Sequence, residues 1–333
     1  MIKNEVKILD CTLRDGGYLN NWLFGEKTIK SVLSNLQKGQ IDYVECGLLK
    51  DCKYNRDKTF FSSIVDLLSL INENQNYTLM VNFGEYSIKN FTRCENLNIK
   101  IRVAFKKHNQ VEALNYISEL KKLGWDVFAN PMSTNTYNSE ELLGLIKELN
   151  CIKPLGVTIV DTLGNMYEDD VINLFDIFDK NLKSDIALGF HSHNSLQLSF
   201  SNTKALLKTN FKRSIVIDSC LYGMGRGAGN LCTELITKYL NDNYDCEYKI
   251  LPLLKSIDND LKPIFRNSPW GYSTPYYIAA SHGCHPNYAN YLVGQSFSDE
   301  QIDKILFQMP DDKKVIYDKD FIESLANNRL IVK

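Results

Sequence analysis

No stretch of this 333-residue chain is apolar for long enough to span a bilayer as a helix. Charge of one sign is missing too. With 38 Lys and Arg against 40 Asp and Glu, the formal net charge is -2 and the pI near 6.2. No global field therefore gathers nucleic acid or an anionic membrane, and any anionic ligand must be held by local groups. None of the nine cysteines (Cys11, Cys46, Cys52, Cys94, Cys151, Cys220, Cys232, Cys246, Cys284) belongs to a C-x-x-C pair. Such an odd, scattered set predicts reduced thiols in a cytoplasmic protein rather than a disulfide framework or a zinc ribbon. The opening segment, MIKNEVKILDCTLRD, lacks the apolar core of a secretory signal. Low-complexity linkers are absent, so nothing marks a clean domain boundary. What remains, 44% hydrophobic and 23% charged, is the ordinary composition of a soluble globular enzyme.

Short apolar runs alternate with longer amphipathic ones. Strands are predicted near Val6–Asp10, Tyr43–Gly47, Tyr77–Asn82, Ile99–Ala104, Asp126–Asn130, Leu155–Val160, Ile186–Phe190 and Ser214–Asp218. Helices are predicted over Glu26–Lys38, Phe60–Asn72, a short piece around Tyr86–Arg93, Gln110–Leu123, Ser139–Leu149, Tyr167–Lys180, Ser195–Lys208 and Asn230–Leu240. Their apolar residues recur three and four apart, as in Val111, Leu114, Ile117 and Leu120. A strand-helix unit repeated eight times predicts an α/β fold, a (β/α)8 TIM barrel, with a doubly wound open sheet as the competing architecture. Residues 1–245 form the expected catalytic barrel. Residues 246–333 form a mainly helical C-terminal extension, a lid or dimer surface, with helices near Ser298–Phe307 and Asp320–Asn327.

In a barrel the working residues sit where strands end and loops begin. Chemically useful groups cluster at those ends. The first strand runs into Asp10-Cys-Thr-Leu-Arg14-Asp15-Gly16-Gly17, the second carries Glu45, and the sixth ends at Asp161-Thr162. The seventh ends in His191-Ser-His193, whose i and i+2 side chains leave an extended chain on one face and can grip one ion. A carboxylate from across the mouth would complete a mixed N/O site for Mg, Mn, Co or Zn, with positions open to substrate oxygens. Each piece has a structural alternative. Arg14-Asp15 is a solvated pair in many loops, and Asp161 can cap loop amides. Glu45 is harder to dismiss, because a charge in an apolar strand is expensive to bury without a partner. The glycine-rich Gly223–Asn230 reads as a backbone loop approaching substrate rather than a dinucleotide fingerprint, because it follows the eighth strand.

Leu13-Arg14-Asp15-Gly16, Glu45, His191-Ser-His193 and Gly225-Arg-Gly-Ala-Gly229-Asn230 together resemble the DRE-TIM metallolyases, over roughly residues 5 to 241. That superfamily includes 3-hydroxy-3-methylglutaryl-CoA (HMG-CoA) lyase, isopropylmalate and homocitrate synthases, and 4-hydroxy-2-oxovalerate aldolases. The resemblance implies carbon–carbon bond making or breaking through an enolate, with Mn or Mg as cofactor and Co or Zn as alternatives. It implies Asp15, His191 and His193 as metal ligands, with Asn230 where some members add one more. Arg14 matches the arginine that stabilises enolate charge, and Glu45 matches the acidic residue of the second strand. Homodimers and an aldehyde dehydrogenase partner also occur in the superfamily, although no residue here marks either.

Departures matter as much. Tyr18 stands where the aldolases carry a histidine base. No cysteine lies between Gly223 and Asn230, where the lyases carry theirs, and residues 246–333 are too few for the synthases' regulatory domain. A base is therefore sought in His282 and His285 of the extension, or in Tyr18; the alternative is that the two histidines cap a helix or pack at a dimer contact. His108 reads as loop surface. Trp270, Tyr272, Tyr276 and Tyr277 line an acceptor pocket or fill the extension's own core. The reading is a metal-dependent aldolase acting on a pyruvate-type keto acid and an aldehyde. An acyl-CoA synthase or lyase of the Claisen type is the alternative within the superfamily, and a metallohydrolase or a non-catalytic binding barrel lies outside it.

Overall fold

The computed structural model describes residues 5–71, 75–93, 98–209 and 213–330. Residues 1–4 of the opening segment, Cys94 and the end of the expected helix at Asn72 lie outside them. Eight parallel strands close the barrel: β1 (Val6–Asp10), β2 (Tyr43–Leu49), β3 (Asn76–Asn82), β4 (Ile99–Phe105), β5 (Val127–Pro131), β6 (Gly156–Asp161), β7 (Ala187–Ser192) and β8 (Ile215–Ser219). Neighbours in sequence are neighbours in space, and β1 pairs with both β8 and β2. Val6 opposes Ile215 and Asp10 opposes Ser219 on one side, while Leu9 opposes Tyr43 on the other. The sheet is thus a closed barrel, which removes the doubly wound alternative. Among the described residues no helix is long and apolar enough to cross a membrane.

The crossover helices follow their apolar spacing. In Gln110–Lys122, Ala113, Leu114, Ile117 and Leu120 turn inward, each large side chain contributing roughly 1.5–3 kcal/mol on burial. Ser139–Ile152 starts where Asn138 and Glu141 bond reciprocally, the capping box that fixes a helix entry. The segment expected as one helix from Phe60 is different. Phe60–Phe61 pairs in parallel with Leu48–Leu49, and only Ile64–Leu68 is α-helical. The cause is local: Asp66 accepts from the backbone N–H of Ser62 and of Ser63, so the helix cannot begin earlier. Around Tyr86–Arg93 there is just one 3-10 turn, Ile88–Asn90. The helix expected from Ser195 begins at Ser199, because the Asn194 side chain accepts from that residue's N–H and hydroxyl.

After the eighth unit the chain is helical. Leu253, Ile257, Leu261 and Trp270 pack into the barrel's own core, whereas Ile278, Tyr288, Leu292, Ile302, Leu306 and Ile322 belong to a second apolar cluster. That cluster is held by the helices Thr274–Ser281, Pro286–Gly294, Asp299–Phe307 and Lys319–Leu330. Trp270 is pinned by donation from its indole N–H to the Tyr222 carbonyl at 2.9 Å, and Tyr272 and Tyr277 face solvent. Of the expected acceptor aromatics, Tyr276 lines a cavity between this second cluster and the barrel rim.

Candidate active site

The barrel interior carries charge where most such interiors carry branched aliphatics. Glu45 on β2 accepts from Arg14 Nε at 2.6 Å and from Arg102 Nη1 at 3.1 Å. Arg102, on β4, also donates through Nη2 to Asp218 Oδ2 on β8, and that same oxygen faces His191 Nδ1 at 3.1 Å. All five groups are at least nine-tenths buried. A buried charge is tolerable only with partners, and here each has at least one. The result is a chain of alternating charge running across the barrel from Asp15 to His191.

At the mouth, Arg14 Nη1 lies 2.5 Å from Asp15 Oδ1, and Asn230 Nδ2 donates to Asp15 Oδ2 at 2.5 Å. Asp15 sits in the single helical turn Thr12–Asp15 that follows β1. That turn is anchored by Thr12 N–H on Asp10 Oδ1 and by Trp22 Nε1 on the Arg14 carbonyl. His191 and His193 stand edge to face with ring centroids 5.1 Å apart, and His193 bridges in antiparallel pairing to Asn230. The glycine before Arg226 is required by space: a Cβ on Gly225 would lie 2.1 Å from Asn230 Nδ2 and 2.9 Å from Asp15 Oδ2.

The electrostatics follow from burial and neighbours. Burial would raise the Asp15 carboxyl, but the Arg14 guanidinium, then His193 and His191, hold it well below the usual carboxylate range. Burial works against a charged His191, yet the Asp218 carboxylate and the Cys11 thiol push it up to about 10. His193 goes the other way, to about 3: burial leads, Asp15 opposes it, and the positive charges of His191, Arg226 and Arg14 add to the depression. Asp161 is raised to about 6 by burial and accepts from the N–H groups of Asn165 and Met166. It is a loop cap.

Ligand atoms of Asp15, His191 and His193 lie within 4.8 Å of one another, all buried. A second triple, Cys11, His191 and Asp218, is as tight, but Arg102 and Cys220 already engage its other members. The first triple faces the cavity at the barrel mouth and the second does not. Asn230 Oδ1 beside it is buried and has no hydrogen-bond partner among the described residues, an orphan acceptor of the kind a cation satisfies. Two imidazoles, a carboxylate and an amide oxygen suit a divalent ion with open positions, so these residues fit the implied metal.

Of the other expected residues, Arg14, Glu45 and Asn230 gather here, and Tyr18 and Arg226 line the same mouth, the guanidinium 4.9 Å above the phenol ring. His285 is buried, with Arg226 and His193 as its electrostatic neighbours, and caps the helix Pro286–Gly294 through Nδ1. His282 is not brought in: its Nε2 lies 2.7 Å from Asp303 and its ring packs on Phe307. His108 is exposed, as expected. Sequence reading missed Arg102 and Asp218, although each is a charge inside an apolar strand, the signal that exposed Glu45.

Comparison with known proteins decides the lineage, since the HMGL-like family profile matches residues 5–247. The chain belongs to the HMGL-like family. Among relatives of this HMGL-like chain, a 4-hydroxy-2-oxovalerate aldolase from Geobacillus genomosp. 3 is 24% identical over 248 residues, 72% of each chain. The crystal structure of the N-terminal domain of a candidate aldolase from Bacteroides vulgatus superposes with a TM-score of 0.75 at 28% identity, covering 90% of this chain and 99% of that one. HMG-CoA lyase from Brucella melitensis shares the fold, with a TM-score of 0.60 at 15% identity over 76% of this chain and 96% of its own. Family and relatives together indicate a carbon–carbon lyase.

Proposed function

We propose that this HMGL-like protein is a divalent-metal-dependent aldolase that makes or breaks a carbon–carbon bond through the enolate of a pyruvate-type keto acid, with an aldehyde as the other partner. One observation carries the reading: the cavity-facing triple of Asp15, His191 and His193 stands directly beside the Arg14 guanidinium. Asp15, His191 and His193 would hold the ion, with Asn230 Oδ1 as a further donor. A divalent cation supplies Lewis acidity toward the keto oxygen.

The chain's own groups do the rest. Glu45 and Asp15 fix Arg14 through Nε and Nη1, leaving Nη2 without a hydrogen bond among the described residues. That nitrogen is free to donate to the oxygen on which enolate charge develops, a preorganised stabilisation at no reorganisation cost. Asp218 holds His191 by Nδ1, which leaves Nε2 as the nitrogen that would ligate. Tyr18 and His285 are the groups near the mouth that can carry a proton. The absence of cysteine between Gly223 and Asn230 favours the aldolase over the acyl-CoA lyase.

The deciding experiment is deuterium uptake into the methyl group of pyruvate in D2O, with Mn or Mg and with a chelated control. Metal-dependent exchange is expected. Absence of exchange with pyruvate, together with exchange into an acyl-CoA donor, would replace the aldolase with the Claisen reading.

A further inference from the structure

A second cavity lies outside the mouth, between the barrel rim and the extension. The inner cavity measures about 60 Å³ and the outer one about 310 Å³. The outer cavity is the roomier, so the inner space takes the reacting end of a substrate and the outer one the rest of it. Tyr18 and Arg226 line both cavities and stand between them. The outer wall is set by close contact: a Cβ on Gly227 would lie 3.3 Å from Pro286 and 3.6 Å from Tyr276.

Arg226 is the only charged side chain lining the outer cavity, and it makes no ion pair among the described residues. Its Nε is buried and has no acceptor among the described residues. A buried guanidinium N–H left without a partner is costly, and a carboxylate or phosphate is the partner whose geometry matches it. Beyond Arg226 the wall is polar and aromatic. Asn287, Asn290, Tyr276 and Tyr317 line it, and the Tyr276 hydroxyl donates to Asn290 Oδ1 at 3.5 Å. Such amides and phenols bond hydroxyl groups and stack on the C–H faces between them. A two-carbon aldehyde would leave the cavity full of water and Arg226 unsatisfied.

We propose that the outer cavity seats the second substrate, an anionic, hydroxylated aldehyde of about four to six carbons, the size its volume admits, with the negative group on Arg226 and the carbonyl end directed inward. This rests on the aldolase reading for its chemistry, but its binding can be read without any turnover.

The test is calorimetric titration of the full, manganese-loaded protein with D-erythritol 4-phosphate, which has no carbonyl to react, beside erythritol and butyl phosphate. The phosphorylated polyol is expected to bind at least about tenfold more tightly than either control, the scale of one charge-assisted hydrogen bond. Arg226→Met should weaken it about tenfold or more, Arg226→Lys less, and Asn290→Ala, on an exposed position, about threefold. Pyruvate, titrated in parallel, should lose much less than the phosphorylated polyol in Arg226→Met. Equal loss of pyruvate would assign the guanidinium to the keto-acid carboxylate and overturn the proposal. So would butyl phosphate matching the polyol phosphate, or coenzyme A binding in its place. Failure of pyruvate exchange with polyol phosphate binding intact would instead count against the aldolase chemistry alone.

Discussion

One oxygen of Asp218 serves both Arg102 and His191, so the orientation of the imidazole at the mouth is tied to a guanidinium deep in the barrel. A histidine whose Nδ1 hydrogen is fixed by a carboxylate presents Nε2 as a better-placed and more basic ligand. Asp218→Asn keeps the volume and removes the charge. Manganese affinity, followed by titration calorimetry, should fall about 10–100-fold, while urea unfolding should report a loss of about 3–5 kcal/mol from the half-broken pair with Arg102. Unchanged manganese affinity in a folded variant would mean that His191 does not ligate.

Glu45 makes the opposite test, because it holds Arg14 and Arg102 without touching the metal triple. Glu45→Gln leaves two buried guanidinium groups short of an anion, at a cost of about 3–5 kcal/mol. Manganese binding should survive, since Asp15, His191 and His193 keep their positions. Pyruvate exchange should drop, because Arg14 loses the clamp on its Nε. Equal loss of exchange and of metal affinity would show that Glu45 supports the whole mouth rather than Arg14.

The barrel was legible in the sequence because its strands are continuous apolar runs and its helices keep a regular three-and-four spacing. Where that periodicity was diluted the reading slipped. At Phe60-Phe61-Ser62-Ser63 the aromatics looked like a helix start, but the serine amides are claimed by Asp66, so the chain pairs with β2 first. That Asp15, His191 and His193 could meet was legible from residue types at strand ends, and the fold brings them together. Arg102 and Asp218 carried the same signal as Glu45, a charge in an apolar strand, but their meeting across the barrel is a relation that strand spacing does not express. The outer cavity was illegible for the same reason: Arg226, Tyr276 and Asn290 become neighbours only when the extension docks on the rim.

Stability against pH gives a prediction of defined sign at Asp10, which accepts from Thr12 N–H and Thr233 Oγ1. Burial raises its carboxyl from 3.8 to about 6, against the pull of those hydrogen bonds. Between pH 4 and 6 the folded protein therefore holds a proton that the unfolded chain has released, and this group's contribution falls as pH rises, by at most about 1.4 kcal/mol per unit. Asp10→Asn cannot titrate. The wild-type minus Asp10→Asn stability difference, from urea unfolding at a series of pH values, should decline across that window and level off above it. A difference that rises with pH would mean that the carboxylate is stabilised where it lies.

The proton carrier can be assigned by separating the two candidates that the structure keeps near the mouth. His285 is pushed well below its ordinary range by burial, with Arg226 and His193 adding to the effect. It is therefore neutral at pH 7, and its burial makes it a weak base. Its Nδ1 accepts from the Asn287 N–H at 3.2 Å, so the neutral ring carries its hydrogen on Nε2, which makes no hydrogen bond among the described residues and can donate to a substrate oxygen. Tyr18 stands under Arg226 and offers a hydroxyl from the barrel side. If His285 is the proton carrier, His285→Gln should slow pyruvate exchange by about 10²–10⁴-fold, the contribution of a positioned acid or base, whereas Tyr18→Phe should act mainly on the aldehyde step. His285→Gln also loses a helix cap, a cost of about 0.5–2 kcal/mol that unfolding measurements register separately. The reverse pattern, exchange lost in Tyr18→Phe and kept in His285→Gln, would make the phenol the proton carrier and leave His285 as a cap.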